Sequence, residues 1–144
     1  MLAVVRCGAQ ICLARRSQDV ATSRGLWSVV TGYVESATDP LGQAWTELEE
    51  ELGLCPPGIH LVRQLDPVPL TSPSSARNFL VHPFLFECDP TPRLVLNWEH
   101  DDVQWVDPSR LDAGDCVTWQ FPLVRALLDA TGTAGNLGSH LTGS

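Results

Sequence analysis

Residues Gly32 to Leu54 read GYVESATDPLGQAWTELEEELGL. Asp39 suits the N-cap of a helix, and Pro40 suits its first position. Leu41, Ala44, Trp45, Leu48 and Leu52 recur at helical spacing and predict a buried stripe. Gly53 suits the position after a helix end, and Pro56-Pro57 stops any continuation. A helix over Pro40–Leu52 is therefore expected. Its second half carries Glu47, Glu49, Glu50 and Glu51. Like charges three and four residues apart repel by roughly 0.2–0.5 kcal/mol per pair. The C-terminal end of a helix also carries partial negative charge and prefers cations. Glu47, Glu50 and Glu51 share a face beside the apolar stripe, while Glu49 points away. The bland reading of a glutamate run is a solvated helix face. A bound hard cation gives this one a reason. Magnesium takes oxygen ligands, is held by one or two carboxylates, and shares its other positions with substrate phosphates.

Upstream, Gly25–Gly32 reads as a strand entering a loop. The unit is strand, loop, acidic helix, loop. It resembles the Nudix hydrolases, whose box is G-x5-E-x7-R-E-U-x-E-E-x-G-U, with U aliphatic. Gly32, Glu47, Leu48, Glu50, Glu51, Gly53 and Leu54 fix the register, so seven of nine defined positions match. The resemblance implies an α/β fold, a mixed β-sheet sandwiched between α-helices. It also implies a pyrophosphohydrolase that cleaves the diphosphate linkage in a nucleoside diphosphate joined to another group, with Mg2+ or Mn2+. In the family the acids matching Glu47, Glu50 and Glu51 bind metal. The carbonyl of Thr31 and the carboxylate of Glu99 are further ligands on this reading. Glu50, Glu47 and Glu99 are the candidate catalytic acids, one of which takes the proton of the attacking water. Glu99 sits on a loop entering a strand, six residues before Trp105.

Two box positions differ. Thr38 stands where the first Glu belongs, and Thr46 where the Arg belongs. Glu35, on the same loop as Thr38, is a partial substitute for the missing carboxylate. Thr46 removes a cation that in the family orients the catalytic acids. The alternative function is therefore a catalytically weak or inactive domain that binds or senses a nucleotide. Arg15 and Arg16 follow the second expected strand, where the family often meets substrate phosphate, and a guanidinium suits that contact. The alternative for each is a surface ion pair. His100 reads as a surface or structurally bonded histidine, with phosphate contact as its other option.

The chain has 144 residues, enough to bury a core as one domain. Residues 1–130 are expected to form it, with 131–144 as a mobile Gly/Ser/Thr-rich tail. Expected elements are a hairpin of Leu2–Arg6 and Ile11–Ala14 turning at Gly8, and strands at Leu26–Thr31 and Ile59–Asp66. Pro67–Ala76 reads as a loop. Asn78–Glu87 reads as one long strand with Pro83 marking an edge or bulge. Short strands are expected at Leu94–Leu96 and Val103–Val106, and a second helix at Pro122–Ala130. Met1 stands directly on the first strand, where most copies of the resembled fold carry preceding residues; an upstream start is expected.

The net charge is −8, with nine arginines and no lysine. That balance offers no electrostatic footprint for nonspecific nucleic-acid binding. No stretch approaches the ~20 apolar residues of a membrane span. The five cysteines lack C-x-x-C spacing and a secretion signal. Reduced thiols and a cytoplasmic location are expected, not a disulfide framework or a zinc site. The expected partner is a small-molecule nucleotide substrate, with a homodimer left open.

Overall fold

The computed structural model describes residues 1–71, 77–88, 92–112 and 114–129. Its centre is a mixed sheet. Strands β1 (Leu2–Cys7) and β2 (Gln10–Arg16) form the expected hairpin. β3 (Trp27–Ser28) pairs with β2, and β4 (Val30–Thr31) pairs with β1. β5 (Ile59–Gln64) lies antiparallel to β8 (Pro83–Cys88), which runs parallel to β1. β9 (His100–Val106) pairs with the free edge of β2. β6 (Val68–Thr71) and β7 (Asn78–Val81) make a separate two-stranded sheet. Helix α1 spans Pro40–Leu52, and α2 spans Phe121–Asp129.

The sheet is buried on both faces, and strand periodicity shows how. Ala3, Val5, Cys12, Ala14, Phe84 and Phe86 point to one side, where Ala44, Leu48 and Leu52 of α1 cover them. Leu2, Val4, Ile11, Leu13 and Leu85 point to the other, against Leu123, Val124 and Leu127 of α2. The chain belongs to the α/β class with the sheet between helices, as expected.

Several element expectations need correction. The strand expected over Leu26–Thr31 is broken at Val29, where the chain passes from β2 to β1. The Val29 amide has left the ladder and donates to Gln120 Oε1 at 3.1 Å. Gln120 is buried, and its Nε2 donates to Ser28 Oγ at 2.8 Å. The Pro67–Ala76 loop contains β6, whose Pro69 sits opposite Leu80. The expected long strand over Asn78–Glu87 is two strands in two sheets, parted at His82. Pro83 opens β8, an interior strand of the main sheet; at a strand's first residue the missing amide breaks no ladder. Leu94–Leu96 is not a strand. The Val95 amide donates to Leu52 O at 2.9 Å, so this segment ties down the end of α1. Ala130 and the tail from 131 to 144 lie outside the described residues.

Candidate active site

Helix α1 is held at both ends. Asp39 accepts from the Gly42 amide at 3.1 Å, as an N-cap should. Gly53 adopts φ 71°, and its amide donates to Glu49 O. A Cβ at Gly53 would also lie 3.1 Å from Val95 Cβ. The resulting helix turns Leu48 and Leu52 into the core and carries Glu51 in with them.

Glu51 is 1 % exposed. Burial is the main reason its carboxyl is pushed up to about 10; a hydrogen bond with Glu47 and the charges of Glu47 and Glu99 add to the effect, and the Arg16 charge opposes it. Glu47, Glu99 and Arg16 are thus near enough for their charges to act on Glu51. Glu51 Oε2 has no hydrogen-bond partner among the described residues. Glu47 lies against the loop that follows β4. A Cβ on Gly32 would fall 2.9 Å from Glu47 Cδ, so only glycine lets the carboxyl lie there. Thr31, the last residue of β4, immediately precedes this contact. Gln43 Nε2 donates to Glu47 Oε1 at 2.9 Å, one helical turn away.

The β9 side completes the arrangement. The Glu99 amide donates to Asn97 Oδ1 at 3.0 Å, and Glu99 O accepts from the Ser17 amide at 2.8 Å. His100 pairs across the ladder with Arg16 and is 4 % exposed. Its Nδ1 stands 3.5 Å from Glu51 Oε1. Burial, with help from the Arg16 charge, pushes this imidazole down to about 4. At neutral pH the contact thus joins a neutral imidazole to a protonated acid and is not an ion pair.

The two arginines differ in surroundings. Arg15 Nε donates to Asp101 Oδ1 at 2.6 Å, and its guanidinium lies over the Trp27 ring. Arg16 Nε donates to Thr22 O at 2.9 Å, and its charge is felt at both Glu51 and His100. Glu50 is exposed on the helix, and Glu35 is exposed on the loop. Thr46 is exposed too, with Oγ1 donating to Gly42 O at 3.1 Å, so its hydroxyl is turned back along the helix. Sequence reasoning did not single out Gln43, whose signal was its i, i+4 spacing to Glu47. It placed His100 at the surface or in a structural bond; the residue is buried behind Glu51. Tyr33, next to Gly32, is 74 % exposed and stands 6.1 Å from the Phe79 ring of β7. A cleft of about 200 Å3 at the N-terminal end of α1 is lined by Asp39, Leu41, Asp66, His82 and Phe84, and Glu47, Glu50, Glu51 and Glu99 are not among its lining residues.

The NUDIX domain matches residues 1–127. The chain belongs to the Nudix family. No curated protein matches it. Among solved structures it is similar to the E. coli dihydroneopterin triphosphate pyrophosphohydrolase, at 17% identity and TM-score 0.73, covering 90% of this chain and 94% of that one. A C. elegans Ap4A hydrolase matches at 16% identity and TM-score 0.67, over 99% and 97%. A bifunctional NMN adenylyltransferase/ADP ribose pyrophosphatase from Francisella tularensis, complexed with AMP and a manganese ion, matches at 19% identity and TM-score 0.65; coverage is 89% of this chain and 40% of that one. Identities this low establish the shared fold. Nudix enzymes typically use divalent metals. Among the described residues no three His, Cys, Asp or Glu side chains are already arranged as a metal cage. The donor chemistry nevertheless suits a hard cation: Glu51 has an orphaned buried carboxylate oxygen, and the charges of Glu47 and Glu99 act on it. Among the described residues no helix is long and apolar enough to cross a membrane.

Proposed function

We propose that this chain is a metal-dependent pyrophosphohydrolase acting on the phosphoanhydride of a nucleoside diphosphate linked to another group. The observation that carries the reading is the buried Glu51 carboxyl, short of a hydrogen-bond partner and set among Glu47, Glu99 and Arg16. A carboxylate so placed is costly unless a cation or proton joins it. Glu47, Glu51 and Glu99 would hold Mg2+ or Mn2+, with Glu50 and the Thr31 carbonyl at its margin. Bound there, the cation would supply charge neutralisation for the diphosphate and a more acidic water.

The remaining roles belong to the chain. Glu50 or Glu99 accepts the proton of the attacking water, Glu50 having the greater access to solvent. Arg16 meets substrate phosphate, while Arg15 is engaged by Asp101. Gln43 fixes Glu47, and Gly32 leaves room for it. The exposed Tyr33 ring, backed by Phe79, offers a flat surface at the mouth of the site for a base or another planar group. Positioning and charge stabilisation supply most of the rate in phosphoryl chemistry. The products are a nucleoside monophosphate and the phosphorylated remainder.

One observation favours a second reading, a nucleotide-binding module without turnover. Thr46 is exposed and bonded to Gly42 O, so no cation on α1 steadies the acids. A panel of nucleoside diphosphate derivatives with Mg2+ or Mn2+, read as released monophosphate, separates the two. Metal-dependent release supports the enzyme. Tight metal-dependent binding without release on the whole panel replaces it with the module.

A further inference from the structure

With no cation at position 46, the metal-facing carboxylate must take its orientation from elsewhere. Glu51 Oε2 and His100 Nδ1 are buried side-chain atoms with no hydrogen-bond partner among the described residues. They belong to residues 1 % and 4 % exposed, and Glu51 Oε1 lies 3.5 Å from that Nδ1. The contact runs from Nδ1 to Oε1, the other oxygen of the carboxylate whose Oε2 is orphaned. A buried donor held just short of an acceptor is costly unless the protein closes that contact.

Three donor atoms near the site are otherwise engaged. Gln43 Nε2 is on Glu47, Thr46 Oγ1 is on Gly42 O, and Arg16 Nε is on Thr22 O. His100 Nδ1 is buried, has no acceptor among the described residues, and faces Glu51 Oε1. Closing the gap by ~0.5 Å brings it to ordinary N–H···O length, about 3.0 Å. The ladder shifts register between Arg15 and Arg16, so that His100 rather than Asp101 stands opposite Arg16, and its ring is buried.

We propose that His100 is the positioning residue for Glu51. It carries its proton on Nδ1 and donates to Oε1, leaving Oε2 for the cation. A hydrogen bond to the back of a metal-binding carboxylate orients it and typically changes metal affinity ten- to a hundredfold when removed. The orienting task would thus pass from the helix, where Thr46 stands, to the first residue of β9. The inference rests on Glu51 being a metal ligand, as in the proposed function.

The test compares wild type, His100→Leu and His100→Asn. The leucine fills the space without a donor, and the asparagine amide lies near the place of Nδ1. Calorimetry with manganese on metal-stripped protein should show at least tenfold weaker binding in His100→Leu, and affinity within about threefold of wild type in His100→Asn. The metal-free melting temperature of His100→Leu should not fall. In magnesium-loaded wild type, long-range 1H–15N spectra should show Nδ1 protonated; this decides the matter even if His100→Leu does not fold. Wild-type manganese affinity in His100→Leu, or a bare Nδ1 in the loaded protein, overturns the proposal. Failure of wild type to hydrolyse any diphosphate derivative, with manganese binding still dependent on His100, sinks the enzyme reading and leaves this one standing. Absence of manganese binding in wild type sinks both.

Discussion

Glu51 is the residue on which the site turns. Without metal its carboxyl sits near 10, against an ordinary value of 4.5, chiefly because it is buried. A folded pKa raised in this way stabilises fully below the unfolded value and loses its contribution as pH climbs toward the folded one. His100 runs the opposite way: lowered to about 4 from 6.5, it favours the fold above pH 6.5 and costs stability as pH falls toward 4. Between about pH 6.5 and 9 Glu51 therefore governs the balance of the two. In EDTA the unfolding free energy should fall across that window by at most about 1.4 kcal/mol per pH unit for one proton, and the melting temperature should fall with it. Glu51→Gln should flatten the slope and raise metal-free stability; an unchanged slope would show that Glu51 ionises normally. The arginines give a second residue-scale prediction. Arg16→Ala should raise KM at least tenfold, while Arg15→Ala, which breaks an exposed and solvent-screened pair, should leave turnover and KM within about twofold. Equal effects of the two would remove the phosphate role from Arg16.

At the scale of elements, the two box glycines do different work. Gly32 is a matter of space, since a Cβ there meets the Glu47 carboxyl at 2.9 Å. Gly32→Ala should leave stability nearly unchanged, because the group that must move is the end of a flexible side chain. Its kcat should fall ten- to a hundredfold, the cost of displacing a catalytic group by about 1 Å. Gly53 is a matter of backbone, at φ 71° and close to Val95. Gly53→Ala should cost roughly 1–2 kcal/mol in a denaturant melt and leave kcat largely intact. If the two variants exchange these effects, the positions have been misjudged. The helix between them was legible because capping, stripe and stop signals all agreed. β6 was not, because Pro67, Pro69 and Pro73 have the composition of a loop. Pro69 is tolerated in a strand because it lies in a small two-stranded sheet, a fact no local pattern holds. The change of sheet at His82 was equally hidden, since an apolar run looks the same whichever partner each half finds.

For the whole molecule, the readable part of the site was the part on one helix. Glu47, Glu50 and Glu51 are candidates from their spacing on one helix face together with their match to the Nudix box. The different surroundings of Arg15 and Arg16, and the burial of His100, depend on the antiparallel register of β2 with β9, a pairing across more than eighty residues. The sheet itself was expected, but its partition into two faces follows from α1 and α2 covering opposite sides. That architecture drives Glu51 into a core where water cannot solvate it, and so links stability to the site. The link has a measurable form: saturating manganese should raise the melting temperature of wild type and leave that of Glu51→Gln unmoved, because a ligand stabilises only a state that binds it. The most direct test of the central claim is release of nucleoside monophosphate from a panel of diphosphate derivatives, with wild type and Glu51→Gln assayed side by side in manganese and in EDTA. Wild type should turn over at least one member in manganese and none in EDTA, and Glu51→Gln should lose at least a hundredfold. Turnover that persists in EDTA, or a Glu51→Gln variant as fast as wild type, would contradict it.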